Sequence, residues 1–199
     1  VLTGSPIRRE LFAGNAEASI RYCGFPVHNK PVLLIVGGSS GSKVINEAVR
    51  KVLPELLEQF YVIHLCGKGN LDEQLKGVLG YAQFEYASAE LTDMFALADM
   101  AISRAGANSI CELLALHKPN ILIPLSAAAS RGDQILNAKS FAKQGFSYVL
   151  EEEQLTDKTL LSAVKEVYEN REKYIKAMSE SGQMDSIGTI VNLIEEQAR

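Results

Sequence analysis

The chain has 199 residues, 47% of them hydrophobic and 22% charged, with a net charge of −4. That is enough to bury a substantial core, and it leaves no basic face of the kind nucleic acid or anionic lipid demands. No apolar run approaches the ~18 residues of a membrane span, and the sequence shows no signal-peptide pattern.

The chain opens Val1-Leu2-Thr3-Gly4 without a methionine, as a domain cut from a longer protein, a processed chain or a trimmed one would. After an irregular opening, residues 31–36 (PVLLIV) read as a fully buried strand, a short run of branched apolar residues. The turn GGSSGS, 37–42, leads into KVINEAVRKVLPELL, which has helical periodicity. YVIHLCG, 61–67, is the second strand, followed by a predicted helix near 71–79. QFEYAS, 83–88, is the third strand and ELTDMFALA a helix; MAISR, 100–104, is the fourth strand, leading into a helix over about 106–116. NILIPL, 120–125, is the fifth strand, with a helix over about 132–144, and SYVL is a short sixth. From about 156 the pattern is helical to the end, broken near Asn170 and around Ser181-Gly182. Strands alternating with helices at this spacing predict one α/β domain over 1–199, a parallel sheet with helices on both faces. Ligands then belong at the carboxyl ends of the strands, in the loops 37–42, 87–90, 104–107 and 126–133. The helical tail packs either on this sheet or across to a domain outside the chain.

Cys23, Cys66 and Cys111 are odd in number and far apart. They read as reduced thiols of a cytoplasmic protein rather than as disulfides or a zinc site. GGSSGS suits close approach of an anion to backbone amides, and equally a tight strand-to-helix turn. The dinucleotide fingerprint fails, because Val36 stands where the first glycine belongs and the second strand does not end in an acid. The Walker pattern fails as well. In SRAGANSICELLAL, 103–116, the helix opens at Gly106 and keeps one carboxylate, Glu112, among leucines and alanines. Asn108, Ser109 and Glu112 share a stripe near its N-terminal end. A carboxylate there either complements the helix dipole or meets a polar partner; a ribose with two adjacent hydroxyls is such a partner. Asp133 and Gln134, in SRGDQILNA, suit sugar hydroxyls, while Ser130 or Asp133 also suits a plain helix cap. Arg131 suits phosphate or solvent, and Arg8 and Arg9 form an arginine pair whose default is solvation. His28, His64 and His117 lack metal-ligand spacing, no Asp-x-Asp occurs, and no metal or other cofactor is expected.

TGSPIR, VGGSSGS, SRAGANSICELLAL, PLSAAASRGDQILNA and KQGF, in this order, resemble the C-terminal half of the MurG family of bacterial cell-wall glycosyltransferases. The resemblance spans essentially the whole chain. It implies a Rossmann-like parallel sheet of about six strands, the donor-binding half of a GT-B fold, with the tail from about 156 packing toward the absent N-terminal domain. The implied activity is inverting transfer of N-acetylglucosamine from UDP-N-acetylglucosamine to the 4-hydroxyl of lipid I, giving lipid II for peptidoglycan, with the roles in cell shape and division this carries. The implied donor contacts are Gly38, Ser39 and Gly41 of the glycine-rich loop and the backbone near Ala87 for uracil. Gly106, Ala107, Asn108 and Ser109 would take the phosphates and Glu112 the ribose. Asp133 and Gln134 would read the sugar, Gln134 at its 4-hydroxyl, with Arg8 near the nucleotide. The catalytic base, the acceptor site and the membrane-binding patch are implied to lie in the N-terminal domain. The whole enzyme would be peripheral on the cytoplasmic face of the membrane, and this half alone would bind donor without catalysis. Ser5 stands where the family usually has asparagine, and Ala127-Ala128-Ala129 is bland for a loop beside a sugar. Another GT-B enzyme of UDP-sugars (a glycolipid synthase or a 2-epimerase) and a non-catalytic sugar-nucleotide module are the alternatives.

Overall fold

A computed structural model of the chain describes residues 5–26, 29–38, 40–127, 132–181 and 186–197. Six strands, β1 (Val32–Val36), β2 (Tyr61–Leu65), β3 (Tyr81–Phe84), β4 (Met100–Ser103), β5 (Asn120–Leu122) and β6 (Tyr148–Val149), form one sheet in the order β3-β2-β1-β4-β5-β6. Every pairing is parallel. The order reverses between β1 and β4, and at such a switch point the two following loops part and leave a crevice.

Strand residues alternate between two cores because successive side chains face opposite sides of a sheet. Leu33, Ile35, Val62, Met100, Ile102, Ile121 and Ile123 face one side; Val32, Leu34, Ile63, Leu65, Ala101 and Leu122 face the other. The first side is covered by α2 (Lys43–Lys51), α3 (Leu53–Gln59), α7 (Asp157–Glu169) and α8 (Arg171–Ser179). The second is covered by α1 (Ala16–Cys23), α4 (Glu90–Leu97) and α5 (Ala107–Ala115), while α6 (Asp133–Lys143) closes the β6 end. Of the two placements open to the tail, α7 and α8 take the sheet. Leu160, Ala163, Val164 and Val167, one helical stripe, are buried on it with Tyr174 and Met178. A ninth helix, α9 (Ser186–Gln197), follows, with Val191 and Ile194 exposed.

Four expectations change. The segment 43–57 is two helices, because Pro54 has no N–H for the Arg50 carbonyl and starts α3 instead. The predicted helix at 71–79 reduces to one 3-10 turn, Glu73–Leu75. Gly77 there has φ 78°, outside the helical region, and the Gln83 amide holds the backbone of Asp72 through both its N–H (2.9 Å) and its carbonyl (2.6 Å). The opening is not wholly irregular: α1 is capped by Asn15, whose Oδ1 accepts from Ala18 N, and ends at Gly24 in the left-handed region. The third strand lies upstream, 81–84, so Glu85, Tyr86 and Ala87 leave the sheet. Among the described residues no helix is long and apolar enough to cross a membrane. The three cysteines are free thiols.

Candidate functional site

The crevice at the switch point holds a cavity of about 180 Å³. It is lined at the strand ends by Val36, Leu65 and Ser103, by Gly38 of the glycine-rich loop, and by Glu85, Tyr86 and Ala87 beyond β3. Leu91 and Phe95 of α4 and Ser109, Glu112 and Leu113 of α5 complete it. Leucine and phenylalanine side chains make the walls apolar, and Glu112 and Ser109 supply polarity at one side. Whole-ligand pockets run to about 300–1,000 Å³, so this slot suits a flat heterocycle and part of its sugar, with the remainder along the loops outside.

The start of α5 forms one edge of the opening. Gly106 is its N-cap, and no side chain caps it. The first intrahelical bond is Ile110 N to Gly106 O, so the amides of Ala107, Asn108 and Ser109 precede the helical ladder. Gly106 itself has φ −67° and ψ 141°, open to any residue, and a Cβ there would meet nothing within 4 Å. The protein's own packing among the described residues gives no reason for glycine at this point. One turn on, Glu112 has a side chain 19% exposed, and Arg8 Nη2, on a side chain 62% exposed, lies 3.3 Å from its Oε1. The carboxylate that stands out in the sequence is therefore paired with the predicted arginine.

The glycine-rich loop divides into two functions. Gly38, at φ 91°, has open space where a Cβ would stand and borders the cavity. Gly41, predicted to contact the ligand, instead packs against the loop after β2: a Cβ there would lie 1.9 Å from the Cys66 carbonyl oxygen. Ser42 caps α2, its Oγ accepting from Ile45 N at 3.3 Å. Beneath the loop lies a buried polar chain. Asn46 Nδ2 donates to the Cys66 carbonyl at 2.8 Å, so its Oδ1 faces His64 Nε2 at 2.9 Å, and His64 Nδ1 meets Tyr81 Oη at 2.9 Å. With Asn46 as acceptor, Nε2 carries the His64 proton and Nδ1 accepts from Tyr81. Burial, reinforced by the nearby Arg50 charge, pushes His64 down to about 3, so the ring is neutral and structural.

Asp133 and Gln134 begin α6, whose N-cap Gly132 also carries no side-chain cap. Gln134 Oε1 accepts from Leu125 N at 3.1 Å and Asn137 Nδ2 donates to the Ala105 carbonyl at 3.0 Å, which ties α6 to the loops after β4 and β5. The structure thus brings Gly38, Ala87, Ser109 and Glu112 to one cavity, with Arg8 paired to Glu112 and Gly106, Ala107 and Asn108 just before Ser109 at the start of α5. Asp133 and Gln134, on the next helix, and Gly41, packed against the loop after β2, are not among the residues that line the slot. Ser39, His28 and Ala128 to Arg131 lie outside the described residues. Sequence reading passed over Leu65, Leu91, Phe95 and Leu113, which form the walls, and Arg104, which is buried behind the loops. The only local sign of Arg104 is a cation directly after an apolar strand. Among the described residues, no three His, Cys, Asp or Glu side chains are gathered as a metal ion would need.

Residues 32–193 match the glycosyltransferase family 28 C-terminal domain. The chain is 62% identical, over 98% of its length, to the UDP-N-acetylglucosamine--N-acetylmuramyl-(pentapeptide) pyrophosphoryl-undecaprenol N-acetylglucosamine transferase of Lachnoclostridium phytofermentans, covering 55% of that protein. It is 57% identical, over 100% of its length, to the protein of the same name from Lachnospira eligens, covering 56% of it. The crystal structure of Acinetobacter baumannii MurG superposes with a TM-score of 0.74 at 21% identity, over 96% of this chain and 57% of that one. The chain spans about half the length of the curated relatives it matches. Its parallel sheet is that of the C-terminal half of a GT-B fold, and the chain belongs to the glycosyltransferase family 28 C-terminal domains.

Proposed function

We propose that the chain is the donor-binding half of an inverting glycosyltransferase that moves N-acetylglucosamine from UDP-N-acetylglucosamine to the 4-hydroxyl of lipid I, forming lipid II. One observation carries the donor assignment: an uncapped helix start with a carboxylate one turn on, opening on an apolar slot. That is the complement of a diphosphate, a ribose and a base in that order. The choice of sugar and acceptor rests on the relative 62% identical along this chain, which is named for that transfer.

In this reading uracil enters between Leu65, Leu91, Phe95 and Leu113 beside the Ala87 backbone. Glu112 exchanges Arg8 for the ribose hydroxyls, which frees the guanidinium for the nucleotide. The diphosphate rests on the amides of Ala107, Asn108 and Ser109 and against Gly38 of the glycine-rich loop. Asp133 and Gln134 read the sugar, Gln134 at its 4-hydroxyl. As the bond to the anomeric carbon breaks, negative charge gathers on the leaving diphosphate. Preorganised amides at a helix start stabilise that charge without a metal. The acceptor hydroxyl attacks from the opposite face and inverts the carbon. Its proton goes to a base in the part of the enzyme beyond this chain, which also supplies the acceptor site. The whole enzyme works at the cytoplasmic face of the membrane, where that part makes the membrane contact.

Isothermal calorimetry of the 199-residue chain with UDP and UDP-N-acetylglucosamine, beside a lipid II assay on the same preparation, tests this. Binding without turnover is expected. No UDP binding refutes the donor assignment, and lipid II formed by this chain alone refutes the division of labour.

A further inference from the structure

Arg104 follows β4, and its side chain is 9% exposed, yet it does not border the cavity. Its Nη1 donates to the carbonyls of Ile123 (3.1 Å) and Pro124 (3.2 Å), and its Nη2 donates to Ser42 Oγ at 2.7 Å. The Glu152 carboxylate, in the turn after β6, pairs with the same guanidinium. Arg104 N also reaches the Val36 carbonyl at 3.4 Å, so the ends of β4 and β1 are joined through it.

We infer that Arg104 and Glu152 act as a positioning pair that fixes the spacing of three ligand-bearing loops without touching ligand. The inference rests on the donor-binding reading above. Ser42 closes the glycine-rich loop, Arg104 itself stands two residues before Gly106, the N-cap of α5, and Pro124 leads through Leu125 to Gln134. A guanidinium is a rigid planar fork that holds several oxygens at fixed spacing, which a lysine, as a single point charge, does not. Its hydrogen bonds run inward to protein oxygens, so it sets the loops rather than meeting the diphosphate. Glu152 supplies the counter-charge without which a buried guanidinium is strongly unfavourable, and its position outside every loop of the site makes it the separable member of the pair.

The test measures UDP and uridine affinities by NMR titration for the 199-residue chain and its Arg104→Lys, Glu152→Leu and Glu152→Gln variants, with thermal unfolding as a check on folding. In Arg104→Lys and Glu152→Leu, UDP affinity falls about tenfold, the equivalent of one hydrogen bond to the diphosphate, while uridine affinity changes less than about twofold. Glu152→Gln keeps an oxygen for the fork but removes the counter-charge, so its UDP loss falls between wild type and Glu152→Leu while uridine again changes less than about twofold. If Arg104→Lys does not fold, the two Glu152 variants decide by the same ratio. Equal losses for UDP and uridine, or UDP binding unchanged beside a wild type that binds it, overturn the positioning role alone. A wild-type chain that binds no UDP overturns the donor reading and this inference with it.

Discussion

Glu112→Ala separates ligand binding from stability more cleanly than any other substitution in the site. In the free protein the carboxylate pairs at 3.3 Å with Arg8, whose side chain is 62% exposed. Such a solvated pair is worth about 0–1 kcal/mol, so the variant unfolds within about that margin of wild type. A ribose in the slot offers two hydroxyls to the same oxygens, hydrogen bonds to a charged group worth roughly 1.5–3 kcal/mol together. Giving up the arginine offsets at most about 1 kcal/mol of this. The net loss of UDP affinity is therefore about 1–3 kcal/mol, or roughly 5- to 150-fold.

Isothermal calorimetry with UDP reads that loss directly. A second titration with 2′,3′-dideoxy-UDP makes the assignment specific: wild type loses affinity for the analogue, and Glu112→Ala loses nothing further. The pair of measurements is a cycle between one side chain and one end of the ligand. Unchanged UDP affinity in the variant refutes the ribose assignment. Independent, additive losses show that the carboxylate and the hydroxyls do not meet.

The two glycines of the first loop separate packing from ligand approach. Gly41→Ala drives a Cβ to 1.9 Å from the Cys66 oxygen at φ +74°, a loss of about 2–5 kcal/mol. Gly38→Ala meets nothing within 4 Å and bears only its backbone strain, about 1–2 kcal/mol; equal melting temperatures would contradict this division. His64, ordinarily near 6.5, is held at about 3, so the unfolded chain binds its proton first as pH falls. Its contribution is complete above pH 6.5 and lost on the way down to about 3, at up to about 1.4 kcal/mol per pH unit. Urea denaturation between pH 7.5 and 5 follows this loss, and a His64→Gln chain with the same slope would dismiss it. Gln134→Ala should narrow discrimination between UDP-N-acetylglucosamine and its 4-epimer while UDP affinity stays almost intact. A matching loss of UDP affinity would make Gln134 a loop brace, through its bond to Leu125 N, and nothing more.

Strand identity follows from short apolar runs, since a parallel sheet covered on both faces leaves no solvent side to mark; the order of the strands in the sheet does not. Helix boundaries were less legible where the decisive partner is remote. The 71–79 segment has helical composition, but the Gln83 amide, eleven residues from Asp72, holds the backbone in place of an i,i+4 bond. Helix α1 carried readable local signals, Asn15 before it and Gly24 after it, with too few apolar residues between them to stand out. The third strand was placed too late because QFEYAS is equally strand-like throughout. Only pairing with β2 ends it at Phe84 and releases Glu85 to Ala87 toward the cavity.

The same division holds inside the site, and it has a physical cause. A group that faces a ligand violates local rules: a glycine where the chain needs none, a carboxylate on an apolar helix. Such violations show in the sequence because nothing nearby in the chain explains them, as Gly106 and Glu112 illustrate. A group that holds the site in shape satisfies its requirement through a distant partner, and its residue type alone names no partner. Arg104 and Ser42 are 62 positions apart, and His64 and Asn46 are 18 apart. In the proposed reaction, charge developing on a diphosphate is met by backbone amides, which every residue possesses, so the stabilising group has no side-chain signature at all. What distinguishes these amides from others is that their geometry is fixed before the ligand arrives. In that proposed reaction the fixity resides in Arg104 and the Ser42, Ile123 and Pro124 oxygens it holds, so the value assigned to the α5 start depends on residues placed away from the ligand.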